Sequence, residues 1–137
     1  MTVHKTGFRI YYEDTDAGGI VYHARYLALA ERARTEALRM AGTSVASLLA
    51  ETGLAFVVTR LEIAYQAPLR LDDWVEIATD LLSIGQARCQ LRQTLSCGDM
   101  QAAILTVELA CITQDSGRPA RIPPRWRASL QAMSNRS

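Results

Sequence analysis

No stretch of this sequence approaches the roughly 18 apolar residues that a membrane helix requires. The opening residues, Met1-Thr2-Val3-His4-Lys5, carry no apolar signal region either. The cytoplasm is therefore the expected location. Charge of one sign is also missing: 15 basic against 14 acidic residues leave a net +1, which provides no broad surface for nucleic acid. Cysteine is scarce and odd in number. Cys89, Cys97 and Cys111 lie inside strand-like patterns without metal or disulfide spacing, so they read as small core residues in a reducing compartment. Internal repeats and low-complexity segments are absent. What remains is a chain of 137 residues, 49% of them apolar, enough for a single domain spanning 1–137 with a substantial core.

The longest helix-like stretch begins near Tyr22. Leu27, Ala30, Arg34, Ala37, Leu38 and Ala41 recur at spacings of three and four, with Glu31, Arg32, Glu36 and Arg39 between them. Residues 8–12 read as the end of a strand, and an acidic, glycine-bearing loop over residues 13–19 joins the two. Gly42 suits the helix C-terminal cap, and Ser44 suits the N-cap of a short second helix ending at Gly53. From Leu54 the period falls from 3.6 to 2. Alternating runs end at Pro68, then occupy residues 75–81 and 87–97, with Cys97-Gly98-Asp99 as a hairpin turn. Residues 100–114 are apolar on both faces, as in an interior or partner-covered strand.

Short turns between strands make antiparallel neighbours, so the class is α+β with one main helix against one sheet face. The other face carries Arg60, Glu62, Arg88, Arg92 and Glu108, which suits a wet subunit interface. Residues 117–137 contain several arginines and prolines and no acid. An extended basic arm on the surface is expected there.

A carboxylate loop that runs into a helix N-terminus is also a chemical arrangement. Free N–H groups and the positive end of the helix dipole favour developing negative charge. Asp16 can attack a carbonyl or activate water, with Asp14, two residues away, as its rival for that role, and amides near Tyr22 and His23 can hold an oxyanion. Nothing immediately before Tyr22 is a good capping residue, which leaves donors for a ligand. Gly18 and Gly19 let a substrate approach the backbone. The competing reading has Asp14 or Asp16 fold back to cap the helix. A calcium loop does not fit, because Gly18 stands where an oxygen ligand is required and Arg25 where the closing glutamate belongs. His23 either orients the substrate or is a hydrogen-bonded residue at the helix start. Tyr11, Tyr12, Tyr22 and Tyr26 either line a pocket or pack in the core.

The stretch RIYYEDTDAGGIVYHARYLALAERARTEALR resembles the signature of hotdog-fold acyl-CoA thioesterases of the 4-hydroxybenzoyl-CoA thioesterase type. It is most similar to the branch associated with the tol–pal envelope system of Gram-negative bacteria. The resemblance implies a five-stranded antiparallel sheet wrapped around one long helix, subunits paired edge to edge, and dimers stacked into tetramers. It implies hydrolysis of acyl-CoA, or of acyl carrier protein thioesters, without metal or organic cofactor. The family's loop aspartate corresponds to Asp16, followed by Ala17-Gly18-Gly19; catalysis is expected from Asp16 and His23, with substrate held at Gly19 and Tyr22. Arg118, Arg121 and Arg125 are candidates for the phosphates of coenzyme A. Some other hotdog lineages draw their carboxylate from the helix, which keeps Glu31 and Glu36 as alternatives to simple surface pairing with Arg32, Arg34 or Arg39. A dehydratase or isomerase using His23 with a helix glutamate, and a non-catalytic acyl-CoA-binding scaffold, are the competing functions.

Overall fold

Alternation of inward and outward side chains shapes the sheet. In the computed structural model, which describes residues 4–134, the strands are β1 (His4–Arg9), β2 (Leu54–Tyr65), β3 (Trp74–Ile84), β4 (Arg88–Cys97) and β5 (Met100–Thr113). Residues 1–3, within the expected leaderless start, and residues 135–137 of the expected arm lie outside the described residues. All neighbours are antiparallel, in the order β1-β3-β4-β5-β2. Val75, Ile77 and Thr79 of β3, Cys89, Leu91, Gln93 and Leu95 of β4, and Leu105, Val107 and Leu109 of β5 are buried at every second position. Burial of each large aliphatic side chain contributes about 1.5–3 kcal/mol.

The long helix α1 (His23–Met40) supplies the other half of this core. Its buried stripe is Tyr26, Leu29, Ala30, Ala33, Arg34, Ala37 and Leu38. The expected face is thus rotated: Leu27 is only half-buried and Ala41 is exposed, while Tyr26, Leu29 and Ala33 turn inward. Ala30 and Ala33 are fully buried, and their small side chains bring the helix close enough for Gln93 Nε2 to reach the Ala30 carbonyl at 2.8 Å. The short helix α2 (Val45–Thr52) is bounded as its residues indicate, with Ser44 Oγ accepting from the Ser47 amide and Gly53 at φ 72°.

Two expectations need correction. The first strand, His4–Arg9, ends at Arg9 and does not run on to Tyr12; Tyr11 leads into a 3₁₀ turn at Tyr12–Asp14. The basic arm is extended only as far as Pro123. From Pro124 it is a helix, α3 (Pro124–Gln131), with Trp126, Ser129 and Leu130 buried, and Met133 beyond it buried too. Proline at the first helical position lacks an N–H that would have no partner there, so it starts this helix rather than preventing one. Trp126 Nε1 donates to the Ser44 carbonyl at 3.0 Å, and the Leu81 amide to the Met133 carbonyl at 3.0 Å. No helix among the described residues is long and apolar enough to cross a membrane.

Candidate active site

The loop between β1 and α1 is held by its backbone before any side chain is considered. Asp16 N–H donates to the Ile20 carbonyl and Gly19 N–H to the Asp16 carbonyl, at 2.9 and 3.1 Å. Gly19 takes φ 80° to close this turn. Isolated bridges Thr15–Val21 and Ile20–Arg70 stitch the two limbs to each other and to the turn before β3.

The two loop carboxylates then diverge. Asp14 is buried; its Oδ2 accepts from the Tyr11 amide at 2.8 Å and its Oδ1 pairs with Arg25 Nε at 3.1 Å. Arg25 also donates to the Glu13 carbonyl, so the loop is tied to the first turn of α1. Asp16 is exposed. Its Oδ1 accepts from the Gly18 amide at 2.8 Å, and its second oxygen has no partner among the described residues. Neither side chain caps α1. A Cβ on Gly18 would stand 3.2 Å from Asp16 Oδ1, so Gly18, more than Gly19, is the glycine that gives this carboxylate room.

The helix start supplies the complementary donors, displaced from where the residues alone suggest. Tyr22 N–H is already given to the Asp14 carbonyl at 3.1 Å, and Arg25 N–H to the Tyr22 carbonyl at 2.8 Å. The amides of His23 and Ala24 have no acceptor among the described residues. Tyr65, at the far end of β2, fixes this turn from the side: its hydroxyl donates to the His23 carbonyl at 2.7 Å. Burial beside Tyr26 raises the Tyr65 pKa, so the hydroxyl stays protonated and a donor at neutral pH. Sequence reasoning passed over Tyr65, which is 42 residues from His23 and looks like any strand residue. Its only local signal is its place just before Gln66-Ala67-Pro68, where the strand ends.

Asp16 lies on two clefts, one on each side of the helix start. One, of about 370 Å³, is lined by Asp16, Ile20, His23, Tyr26, Tyr65 and Pro68 among others. The other, of about 420 Å³, is lined by Glu13, Asp16, Tyr22, Arg25 and Ala28 among others. The structure therefore brings Asp16 together with His23 and, separately, with Tyr22. Of the four tyrosines, only Tyr26 packs in the core; Tyr11, Tyr12 and Tyr22 are exposed. Glu36 pairs with Arg39 at 2.6 Å on the surface, as expected, whereas Arg34 is buried and bonded to Gln93.

The arginines lie elsewhere. Arg118 joins the end of β5 through its carbonyl, which accepts from the Thr113 amide, and Gln114 N–H reaches Gly53. That is the Leu54 end of β2, whereas His23 stands at the Tyr65 end, a strand length of about 36 Å away. Arg125 is not uncompensated: it pairs with Glu51 at 3.2 Å and stacks on Trp126 at 4.7 Å. One protomer does not bring these arginines to Asp16.

Known proteins are similar to this chain in sequence and fold. The model of the thioesterase-like superfamily matches residues 11–130. The acyl-CoA thioesterase YbgC of Haemophilus influenzae is 41% identical over 122 residues, 89% of this chain and 90% of that protein. The acyl-CoA thioester hydrolase YbgC of Escherichia coli is 53% identical over 83 residues, 61% of each chain. A probable thioesterase from Bartonella henselae has a TM-score of 0.84 and 35% identity, covering 89% of this chain and 100% of that one. The shared region runs from the carboxylate loop into α3, so the chain belongs to the thioesterase-like superfamily and its sheet around one long helix is the hotdog fold.

Proposed function

We propose that this protein hydrolyses acyl-CoA thioesters, with Asp16 as the reacting carboxylate. The observation that carries the reading is the pairing of a half-engaged, exposed Asp16 carboxylate with two unused amides at the start of α1. A thioester carbonyl accepted by the His23 and Ala24 amides is polarised where the helix dipole also favours negative charge. Asp16 then either attacks the carbonyl carbon or takes a proton from the water that does. The C–S bond breaks and the thiolate leaves. Where water attacked, the proton held by Asp16 passes to the thiolate and the acid is released. Where Asp16 attacked, a water hydrolyses the mixed anhydride, which releases the acid, restores the carboxylate and supplies the proton for the thiolate. The His23 side chain shares the cleft with Asp16 and Tyr65 and is placed beside the leaving group. The named activities of the YbgC relatives support the same reaction.

The competing dehydratase reading needs His23 and a helix glutamate at one carbon. Glu31 is eight residues further along α1, about 12 Å, which disfavours it. Thiol release from a panel of acyl-CoAs tests the proposal. Loss of enoyl absorbance in place of thiol release would instead identify the dehydratase, and saturable binding without turnover the scaffold.

The assembly we propose is an edge-paired dimer through β2. This strand is 12 residues long, lies at the sheet edge, and contains no proline or lysine; Val57 and Val58 are 37% and 48% exposed. Antiparallel pairing of two such strands brings the Tyr65 end of one beside the Leu54 end of the other. Arg118 and Arg121 of one subunit then approach the other's Asp16 cleft, where the phosphates of coenzyme A would lie. Sedimentation at micromolar protein is expected to show no dominant monomer. Arg121→Ala is expected to raise KM for acyl-CoA but not for a pantetheine thioester, with a penalty that shrinks in salt.

A further inference from the structure

Arg34 sits where an arginine is rarely found. It lies on the inward stripe of α1, only 8% exposed, and its one side-chain bond, Nη1 to Gln93 Oε1 at 3.2 Å, is to a neutral group. Gln93 is itself fixed in place, its Nε2 donating to the Ala30 carbonyl and to Thr79 Oγ1. Burial pushes the Arg34 pKa down, and Glu31 one turn away opposes this only in part. A guanidinium carries five N–H groups and remains charged in any protein. Among the described residues no fully buried side-chain nitrogen or oxygen lacks a partner, so the Nε and Nη2 of Arg34, which make no hydrogen bond there, face accessible space. That space is a chamber of about 330 Å³ whose polar lining is Glu31, Arg34 and Thr35 and whose apolar lining includes Leu38, Phe56, Leu91 and Met133. Glu31 forms no ion pair with Arg34 among the described residues, and a largely buried cation without a paired anion is costly. A mere tie between α1 and β4 would use one N–H of five and require no charge.

We propose that this chamber takes an amphipathic anion, an apolar stem whose terminal carboxylate pairs with Arg34, and that the substrates accordingly include thioesters of ω-carboxyacyl groups. The turnover half rests on the thioesterase reading; the binding half does not. The chamber is bounded by α1 and by the edge strand β2 at Val57 and Val58. Within one protomer, Arg34 is eleven residues from His23, about 16 Å along the helix. In the edge-paired dimer the Leu54 end of β2 meets the Tyr65 end of its partner, which leaves Val57 and Val58 about 10–13 Å along the strand from that junction, a span that a stem of eight to ten carbons leaving one subunit's cleft would bridge to the other's chamber.

Two measurements test this with the full chain. In calorimetry, octanoate is expected to bind at least about tenfold tighter than 1-octanol, the scale of one charged hydrogen bond. Arg34→Met is expected to remove that difference and Arg34→Lys to keep much of it. In thiol release, mono-CoA thioesters of six-, eight- and ten-carbon dicarboxylic acids are compared with plain acyl-CoAs of equal length. The wild type is expected to favour the carboxylated thioester by about tenfold in kcat/KM at one length or more, and Arg34→Met to level the pair. Equal binding of octanoate and octanol by the wild type overturns the proposal, as does an unchanged preference in Arg34→Met. If Arg34→Met fails to fold, the wild-type and Arg34→Lys comparisons decide. Altered sedimentation of Arg34→Met with unchanged selectivity gives the anion to a partner subunit and also overturns it. Absence of turnover on every thioester sinks the thioesterase reading alone and leaves the octanoate result standing.

Discussion

Asp14 and Asp16 are separated by a single threonine, yet their surroundings share almost nothing. Asp14 has its charge matched by Arg25 and one oxygen taken by the Tyr11 amide, and its side chain is 11% exposed. Asp16 faces solvent with one oxygen lightly held by Gly18 and the other available. The same functional group is a structural tie in one place and, in the function we propose, the reagent in the other. What separates them is the 3₁₀ turn at Tyr12–Asp14, which folds Asp14 inward and turns Asp16 toward the helix start.

The comparison breaks most cleanly through Asp16→Asn. The shape survives and the carboxylate does not, so kcat is expected to fall at least about 10²-fold with the unfolding midpoint unchanged. Next comes Gly18→Ala, whose new methyl displaces the Asp16 carboxylate by a few tenths of an ångström. Gly18 is not among the positive-φ glycines, so the backbone tolerates alanine, and the expectation is a fall of about tenfold in kcat without loss of stability. Asp14→Asn should invert that pattern: about 1–3 kcal/mol lost in denaturant unfolding, with kcat within a few-fold of wild type. The smallest effect is expected for Tyr65→Phe, which frees the His23 carbonyl at a cost of about 0.5–1.5 kcal/mol and lowers kcat only a few-fold. Should Asp14→Asn prove inactive while Asp16→Asn turns over normally, the division of roles is reversed. Activity in both would move the search to Glu31.

Particular residues show why some of this was legible in the sequence and some was not. The strands declare themselves because Val75, Ile77 and Thr79, or Cys89, Leu91 and Gln93, must all face one helix, and that demand writes a period of 2. The loop–helix joint was legible because carboxylates, glycines and an uncapped helix start fall together within a dozen residues. Three features were hidden. Tyr65 acts on His23 across the fold, and no local pattern records a contact that pairing of β2 with β5 creates. Arg34 falls on the recurring stripe with Ala30 and Ala37, yet a helical arginine among glutamates also reads as a surface pair, and no local pattern records its burial against Gln93. Pro123 and Pro124 suggested a surface arm, although Trp126, Leu130 and Met133 at spacings of four and three were the stripe of an amphipathic turn.

That last helix bears on how the molecule is made. α3 follows every strand of the sheet in the chain, and its Leu130, with Met133, lines one chamber with Leu91 and Leu109 of the sheet. Until α3 packs, a chain whose β1 to β5 and α1 have associated exposes an apolar mouth. Closure requires the indole of Trp126 to find the Ser44 carbonyl and the Met133 carbonyl to receive the Leu81 amide. A released chain cut after residue 120 would hold all five strands with its chamber unroofed, a form that chaperones should recognise and the full-length protein should not resemble.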